Sequence, residues 1–528
     1  MLSGEPVPAG SDCPAHKRPA RKQPMPDPDL PSFLDRLERR GDLLRVRDPI
    51  DPDLEATALA RSMQAREGPA LLFEHPVGSR IPLLLNLFGH RRRIEAVLGD
   101  RPVQSLAELG KLLAGLQHPR LPRNLPGLLR DWPQLGQIAL SAPRQRHGET
   151  QWAQVLEGDA VDLDCLPIQR CWPDDAGRLI TLGLVATHSA RLDRCNLAVY
   201  RQQVIGRNRV IMRWLAHRGG AQDYAEWLEQ RPDEPFPVAV AIGADPATTL
   251  AAVAPVPDML SELQFAGVLR GARSEVTRLP GSPLLVPASA QILLQGHIKP
   301  GDCALEGPFG DHTGHYNAAG HYPVLTIDRI CLRHGAIYQG SWMGKSPHDE
   351  PSVLASALNE LFVPILRGIF PEVVDFFLPP AACSYRIALV SIRKRYPGHA
   401  RRMMMGIWSY LRQFTYCKYV IVLDHDIDLH DGNEVLWAIA NNSDPERDAL
   451  VIDRTPIDVL DFAGPSPGLG SKLGLDATRK IPGETDRAWP RPIRPDPELE
   501  AHVEALCTRL LAQRDATTPA QQPDLPQP

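Results

Sequence analysis

"CNLAVYRQQVIGRNRVIMRWLAHRGG", residues 195–220, decides how the middle of this 528-residue chain folds. Apolar and polar residues alternate from Leu197 to Ile205, a "GRNR" turn follows, and a second alternating run reaches Trp214, the period-two pattern of a β-hairpin. With an even loop, position 201 opposes 214 and 202 opposes 213. Arg201 and Arg213 then point to opposite faces, and one of them can face a given pocket. A strand arginine under Trp and Met is costly unless it meets an anion, and its planar fork matches a carboxylate or phosphate in two-point contact; the plain alternative is an exposed edge arginine. "HRGG" after the second arm offers backbone N–H groups with no Cβ in the way, which suits phosphate, although an ordinary Gly-Gly turn has the same letters.

Around the hairpin, residues 146–335 are strand-rich: "LITLGLVATHS", "FPVAVAIG", "SPLLVPASAQILLQGHI" and "YPVLTIDRICLR" predict a mostly antiparallel sheet or barrel. Residues 31–145 alternate amphipathic helix with short buried strands: Phe33, Leu34 and Leu37 share a helical face, and "PALLFEH" and "PLLLNLF" read as strands. Residues 336–510 alternate again, with "PSVLASALNELFVPILRGIF" and "ARRMMMGIWSYLRQF" helical and "YRIALVSI" and "KYVIVLDHDI" as strands, so the fold class is α/β, or α+β, in several domains. The tails, 1–30 and 511–528, are rich in Pro and polar residues and are expected to be disordered. "HKRPARK" in the first is either a solvated charge run or a contact with an anionic surface.

A net charge of −5 gives no footprint for nucleic acid. Nine cysteines with no C-x-x-C pair suit reduced thiols in the cytosol. No apolar run approaches about 18 residues and the start has no secretory apolar core, so a cytoplasmic location is expected.

"CALEGPFGDHTGHYN", residues 303–317, carries two acids on a segment that Gly307, Pro308 and Gly310 keep out of a regular helix. If Glu306 and Asp311 approach each other in a dry pocket, one is pushed to a higher pKa and holds a proton near neutral pH, which makes a donor or relay. Two other readings stand beside it: a turn in which Asp311 bonds its own backbone, and a metal loop using His312 and His315. Glu262, between Leu260 and Leu263 in a helix whose start Pro257 and Asp258 mark, reads as a solvated acid. Lys472 in "GPSPGLGSKLGLDATRK" imitates a phosphate loop without the spacing of one.

Taken together, "NLAVYRQQVIGRNRVIMRWLAHRGG", "EGPFGDHTGHYN", "YPGHARRMMMGIW" and "GLGSKLGLDAT" closely resemble the UbiD-type decarboxylases, which use prenylated FMN, over about residues 31–510. The resemblance implies an N-terminal α/β domain, a central split β-barrel of flavin-reductase type that binds the cofactor, and a C-terminal α/β domain. It implies loss of CO2 from an aromatic acid, nearest to the conversion of 3-polyprenyl-4-hydroxybenzoate to 2-polyprenylphenol in ubiquinone biosynthesis, with the modified flavin accepting the electrons of the breaking C–C bond. It leaves open another aromatic or acrylic acid, the reverse carboxylation, or a flavin-binding homologue without turnover.

By the same resemblance Asn196 and Glu262, with His217 as the nearest candidate for a further ligand, fall where the family holds Mn2+ against the flavin phosphate, with a monovalent cation such as K+ alongside. Val199, Tyr200, Arg201, Arg213, Trp214, Leu215, Arg218, Gly219 and Lys472 fall at flavin-contacting positions. Arg201, Glu306 and Asp311 form the acid/base trio, Asp311 as the proton donor and Glu306 as relay. Gln291, Gln295 and His315 depart from the Glu, Glu and Tyr expected of the nearest relatives. The implied partners are a polyprenyl-bearing aromatic acid, a flavin prenyltransferase supplying the cofactor, further copies of the chain in a homo-oligomer such as a hexamer, and a peripheral contact with the cytoplasmic face of the membrane.

Overall fold

In the computed structural model, residues 28–98, 106–117, 141–146, 152–216, 218–254, 256, 260–383, 385–410, 412–491, 493 and 496–517 are described. They fall into two compact units, one drawn from 1–394 and 399–478, the other from 395–398 and 479–528. In the first unit Asp29 caps the helix Leu30–Arg39 by accepting from Ser32 N, and Phe33, Leu34 and Leu37 are buried on one face, as the helical spacing predicts, together with Leu30, a residue of the expected disordered tail. Strands β1 (Leu43–Val46), β2 (Ala70–Phe73) and β3 (Leu83–Leu85) follow. β2 and β3 are buried along their whole length, which is why both read as unbroken apolar runs.

The centre is a nine-stranded sheet. β5 (Gln154–Glu157) pairs with β15 (Gly320–Leu332), and the remaining order is β6 (Leu179–Ile180), β9 (Gln202–Gly206), β10 (Arg209–Met212), β15, β14 (Ile292–Glu306), β11 (Phe236–Ile242), β7 (Leu184–Ser189) and β8 (Arg194–Val199). All its pairings are antiparallel, as expected. The order ends at β6 and β8 with no ladder joining them, so no closed barrel forms among the described residues. A smaller sheet, β13 (Leu285–Pro287), β12 (Glu275–Arg278) and β4 (Arg144–Arg146), packs against it without sharing a ladder, Val276 and Val286 joining Leu184 and Ala239 in one core, and β16 (Tyr338–Gln339) returns to pair with β3.

The hairpin register corrects one expectation. Gly206 opposes Arg209, as an even loop requires, but a bulge shifts the ladder so that Val204 opposes Val210 and Gln202 opposes Met212. One extra residue in one strand moves every later residue to the other face. Arg201 therefore comes opposite Arg213, whose backbone N donates to Arg201 O at 3.3 Å, and both guanidinium groups serve one site.

The C-terminal part of this unit orders β17 (Val373–Phe377), β18 (Ile387–Ile392), β19 (Tyr419–Asp424), β21 (Leu469–Asp476) and β20 (Ala449–Pro456), with β18, β19 and β21 parallel. The expected helix over 351–370 is broken by a 3-10 turn at Asn359–Leu361; Pro364 has no N–H to bond back to residue 360, so the turn is where the ladder fails. The stretch Glu350–Ile369 is nevertheless long and apolar enough by composition to cross a membrane, contrary to the expectation that no run approaches that length. Half of it is buried, and Leu354, Leu358, Leu361, Ile365 and Leu366 belong to the core.

In the second unit the helix Pro497–Thr517 runs past the expected tail boundary at 510, carried by good helix formers such as Leu510, Leu511, Ala512 and Gln513. Residues 1–27 and 518–528, where the tails were expected, lie outside the described residues, as do His217, Pro257 and Asp258.

Candidate active site

Glu306 is the last residue of β14, not a loop residue as the sequence suggests, and the ladder brings it opposite Gly320. Gly307 turns the chain with φ of +87°, a conformation that favours glycine, and its N–H donates to Gln203 Oε1 at 2.9 Å. The peptide bonds before Pro308 and Pro347 are cis. Asp311 follows on a turn closed by Gly314 N to Asp311 O at 2.9 Å, and its own N–H donates to His315 O at 3.1 Å.

Three buried side chains meet here. Arg201 Nε donates to Glu306 Oε1 at 2.7 Å and Nη2 to Oε2 at 3.1 Å, a two-point fork, while Nη1 donates to Asp311 Oδ2 at 3.1 Å. Arg213 Nη1 adds a bond to Glu306 Oε2 at 3.2 Å. The side chains of Arg201, Glu306 and Asp311 are 6%, 0% and 3% exposed, so these contacts are made out of water. Arg201 also lies over Phe309 at 5.4 Å and Arg213 over Tyr322 at 5.5 Å.

The two acids are driven apart electrostatically. Burial pushes the Glu306 carboxyl up to about 7, with Arg213 opposing and the Asp311 charge assisting. Burial alone would raise Asp311 too, but the His312 ring on Oδ1, its charge and the His312 N–H hold it below the ordinary carboxylate value. His312 is lowered by burial and raised more strongly by Asp311, so its pKa stands above the usual imidazole value. The pair expected to split does split, with Glu306 as the proton holder. The turn reading holds as well, because His312 N donates to Asp311 Oδ1 at 2.7 Å. The metal-loop reading does not: His312 pairs with Asp311, His315 stacks edge-on against Phe462 at 4.7 Å, and no cluster of three metal-ligating side chains exists among the described residues.

Periodicity and motif left three supports unread. Asp175 Oδ1 accepts from Gly310 N at 2.8 Å, and its Oδ2 accepts from Cys171 N and Trp172 N at 3.1 and 2.9 Å, which ties the Asp311 loop to another segment. Asn317 Oδ1 accepts from Arg201 Nη2 at 3.0 Å and Phe309 N at 3.2 Å. Trp172 packs so closely on Gly310 that an added Cβ would stand 2.3 Å from Trp172 Cδ1. Gly310→Ala is expected to cost about 1–3 kcal/mol by overpacking, read as a fall in thermal midpoint; an unchanged midpoint would refute the close packing.

Of the expected metal and flavin residues, Asn196, Glu262, Val199, Tyr200, Trp214, Leu215, Arg218 and Gly219 lie around β8 and the helix start at Gly219, while Arg201 and Arg213 serve the acids. Ser261 caps the helix Glu262–Arg270 by accepting from Gln264 N, and Glu262, its first residue, takes Leu197 N–H onto Oε2 at 3.4 Å. The helix starts after Pro257 and Asp258, and Glu262 is half-buried with its carboxylate on Leu197 N–H, which counts against the solvated reading; burial raises its pKa. Asn196, one residue before Leu197, spends its Nδ2 on Thr187 Oγ1 at 3.2 Å. A Cβ on Gly219 would stand 2.8 Å from Asn196 Oδ1, and one on Gly220 would stand 2.9 Å from Trp214 Nε1, a buried N–H with no acceptor among the described residues. Gly219 and Gly220 open the helix Gly219–Gln230, with Arg218 at its N-cap and Tyr200 Oη accepting from Gly220 N at 3.0 Å. A helix N-terminus beside an amide oxygen and a carboxylate suits a phosphate and a hard divalent cation. Val199 and Leu215 flank this edge half-buried, and Trp214 stacks edge-on against Tyr200 at 6.1 Å. Lys472 is placed differently: its ammonium donates to the carbonyls of Thr415, Cys417 and Pro456, which occupies its donors inside the C-terminal sheet. Gln291 is buried with Nε2 on Ser289 O at 3.4 Å, and Gln295 Nε2 lies 3.9 Å from Cys331 Sγ.

A mixed α/β frame thus sets an arginine, forked onto Glu306 and bonded to Asp311, in the same unit as the helix start at Gly219. Three family models match the chain, described as the N-terminal domain (residues 34–113), the Rift-related domain (143–346) and the C-terminal domain (352–477) of 3-octaprenyl-4-hydroxybenzoate carboxy-lyase. The chain belongs to the UbiD family of carboxy-lyases. Among solved structures it is similar to the closed form of vanillic acid decarboxylase from Sedimentibacter hydroxybenzoicus, with 27% identity, 92% of this chain and 99% of that one covered, and a TM-score of 0.79. It is also similar to the UbiD-class enzyme HmfF from Pelotomaculum thermopropionicum in complex with FMN, with 27% identity, 90% and 98% covered, and a TM-score of 0.72. The apo 3,4-dihydroxybenzoic acid decarboxylase of Klebsiella pneumoniae shares the fold at 21% identity, with 90% and 99% covered and a TM-score of 0.71.

Proposed function

We propose that this chain is a prenylated-FMN-dependent decarboxylase of an aromatic acid, converting a 3-polyprenyl-4-hydroxybenzoate to the 2-polyprenylphenol, with a divalent metal such as Mn2+ at the flavin phosphate. The observation that carries the reading is the Arg201 fork, which holds Glu306 and Asp311 together out of water. Asn196 and Glu262 supply hard oxygen donors for the metal, and K+ is the further cation in this reading. The helix start at Gly219, with Tyr200, Trp214, Val199, Leu215 and Arg218, holds the cofactor. The central sheet is the family's split barrel, bent by the bulges of β14 at Gln295/Gly296 and Ile298/Cys303.

When bound, the prenylated flavin supplies the electron sink for the departing C–C bond. The protein does the rest. Arg201 and Arg213 orient the substrate carboxylate, Glu306 stores a proton near neutral pH, and Asp311 delivers one to the carbon that loses CO2. A flavin prenyltransferase supplies the cofactor, and the holoenzyme works as a homo-oligomer, up to a hexamer, in the cytoplasm or peripherally on its membrane face.

A second reading, a small hydroxybenzoate as substrate, is favoured by the similarity to vanillic acid decarboxylase. Both are tested by co-expression with a flavin prenyltransferase, purification with Mn2+, and CO2 release from a panel of 4-hydroxybenzoates with and without a 3-prenyl chain. The first reading expects release to rise with the chain; release confined to unprenylated acids selects the second, and no release from any acid overturns both.

A further inference from the structure

Each decarboxylation takes up one proton, since RCO2− + H+ gives RH + CO2. Asp311 is 3% exposed and Glu306 is fully buried, so the donor cannot be refilled directly from water. The hydrogen-bond partners of the Asp311 carboxylate are Arg201 on Oδ2 and His312 on Oδ1, through both its backbone N–H and Nδ1. A guanidinium does not release its proton near neutral pH, and the same guanidinium stands between Asp311 and Glu306 by bonding to both. The imidazole exchanges protons in this range, and its side chain, at 14% exposed, reaches further toward solvent than either acid.

We propose that His312 is the relay that refills Asp311, a role that rests on the decarboxylase reading above. The His312 imidazolium passes its Nδ1 proton to Asp311 Oδ1, leaving a neutral ring and a neutral carboxyl. Asp311 gives that proton to the carbon that held the carboxylate, and the neutral ring swings out to take one proton from water or buffer at Nδ1. One proton enters and one leaves per CO2 released, and the pair returns to its starting charge. The charged groups facing the ring besides Asp311 are Asp458 and Arg386 from the C-terminal part of the unit and Asp349 from the adjoining helix start; Tyr385 Oη donates to Asp458 Oδ2 at 2.9 Å, and Ser346 Oγ donates to His312 O at 3.2 Å. His312 acts through Asp311, so it is a positioning residue whose signature is proton supply.

The test is His312→Asn in the holoenzyme, because the Asn amide reaches Asp311 Oδ1 as Nδ1 does but carries no exchangeable charge. The variant is expected to keep its flavin, hold KM near wild type and lose about 10²-fold in kcat. Added imidazole should restore turnover in proportion to its concentration, and His312→Ala, with more room, should be rescued further. Wild-type kcat should fall as pH rises through the imidazole range, and this limb should vanish in the Asn variant. Unchanged turnover in His312→Asn, or a loss that imidazole does not repair in either variant, overturns the relay while leaving the decarboxylase reading standing. If neither variant folds, a wild-type kcat with no falling limb at high pH overturns it. A wild type that releases no CO2 overturns both.

Discussion

Asp311→Asn holoenzyme is expected to bind flavin as the wild type does and to release CO2 at least about 10²–10⁴-fold more slowly, the usual contribution of a positioned acid. The Asn amide fills the same space, so its Oδ1 can still accept from Arg201, and the edge at Gly219 proposed to hold the flavin is untouched. What is lost is the group that can hand over a proton. The substitution also removes an ion pair with a defined pH dependence. Because the folded pKa of Asp311 is depressed by His312, its contribution to stability is present above the unfolded carboxyl value and is lost as pH falls through the folded one. The variant should therefore be less stable than wild type at pH 7 and equal to it in acid. CO2 release by steady-state assay and thermal midpoints at two pH values check both statements. Full activity in the variant would remove Asp311 as donor.

Arg201→Ala should fail more broadly, because Arg201 forks onto Glu306 and bonds Asp311. Breaking a buried pair strands its partner charge at a cost of about 3–5 kcal/mol. Here two carboxylates lose their shared cation, and Arg213 retains one bond, to Glu306 Oε2 at 3.2 Å. With Arg201 gone, burial still raises the Glu306 carboxyl, opposed by Arg213, so its neutral form is favoured in the fold, while His312 continues to hold Asp311 low. A group whose folded pKa is raised contributes stability that is full below its unfolded value and lost as pH rises through the folded one. The variant is thus expected to be most stable near pH 5, to weaken toward pH 8, and to have no measurable turnover at either. A stability deficit that does not grow with pH would show that the fork does not hold the two acids as described.

Much of this was legible in the sequence because periodicity reports burial. The Phe33, Leu34 and Leu37 face, the β2 and β3 runs and the strand-rich centre all follow from apolar spacing. The acidic loop announced itself through Gly307, Pro308 and Gly310, residues that restrict where a backbone can go. The hairpin register was not legible, since a bulge leaves the alternation of letters almost intact while turning Arg201 and Arg213 toward the same carboxylate. Glu262 was misread for a related reason: a helix-first acid beside two leucines looks solvated until the edge of β8 is packed against it. Asp175 gave no signal because its partners are three backbone N–H groups, which carry no sequence identity.

The central claim is that the Arg201-bound acids place a proton on the carbon from which CO2 departs. It is tested most directly by running the cofactor-loaded enzyme in D2O and locating deuterium in the phenol by NMR. The account predicts one deuterium per CO2, at the ring position that carried the carboxylate, with its rate of incorporation lowered at least about 10²-fold in Asp311→Asn. Product formed at the wild-type rate by that variant, or deuterium at any other ring carbon, would contradict it.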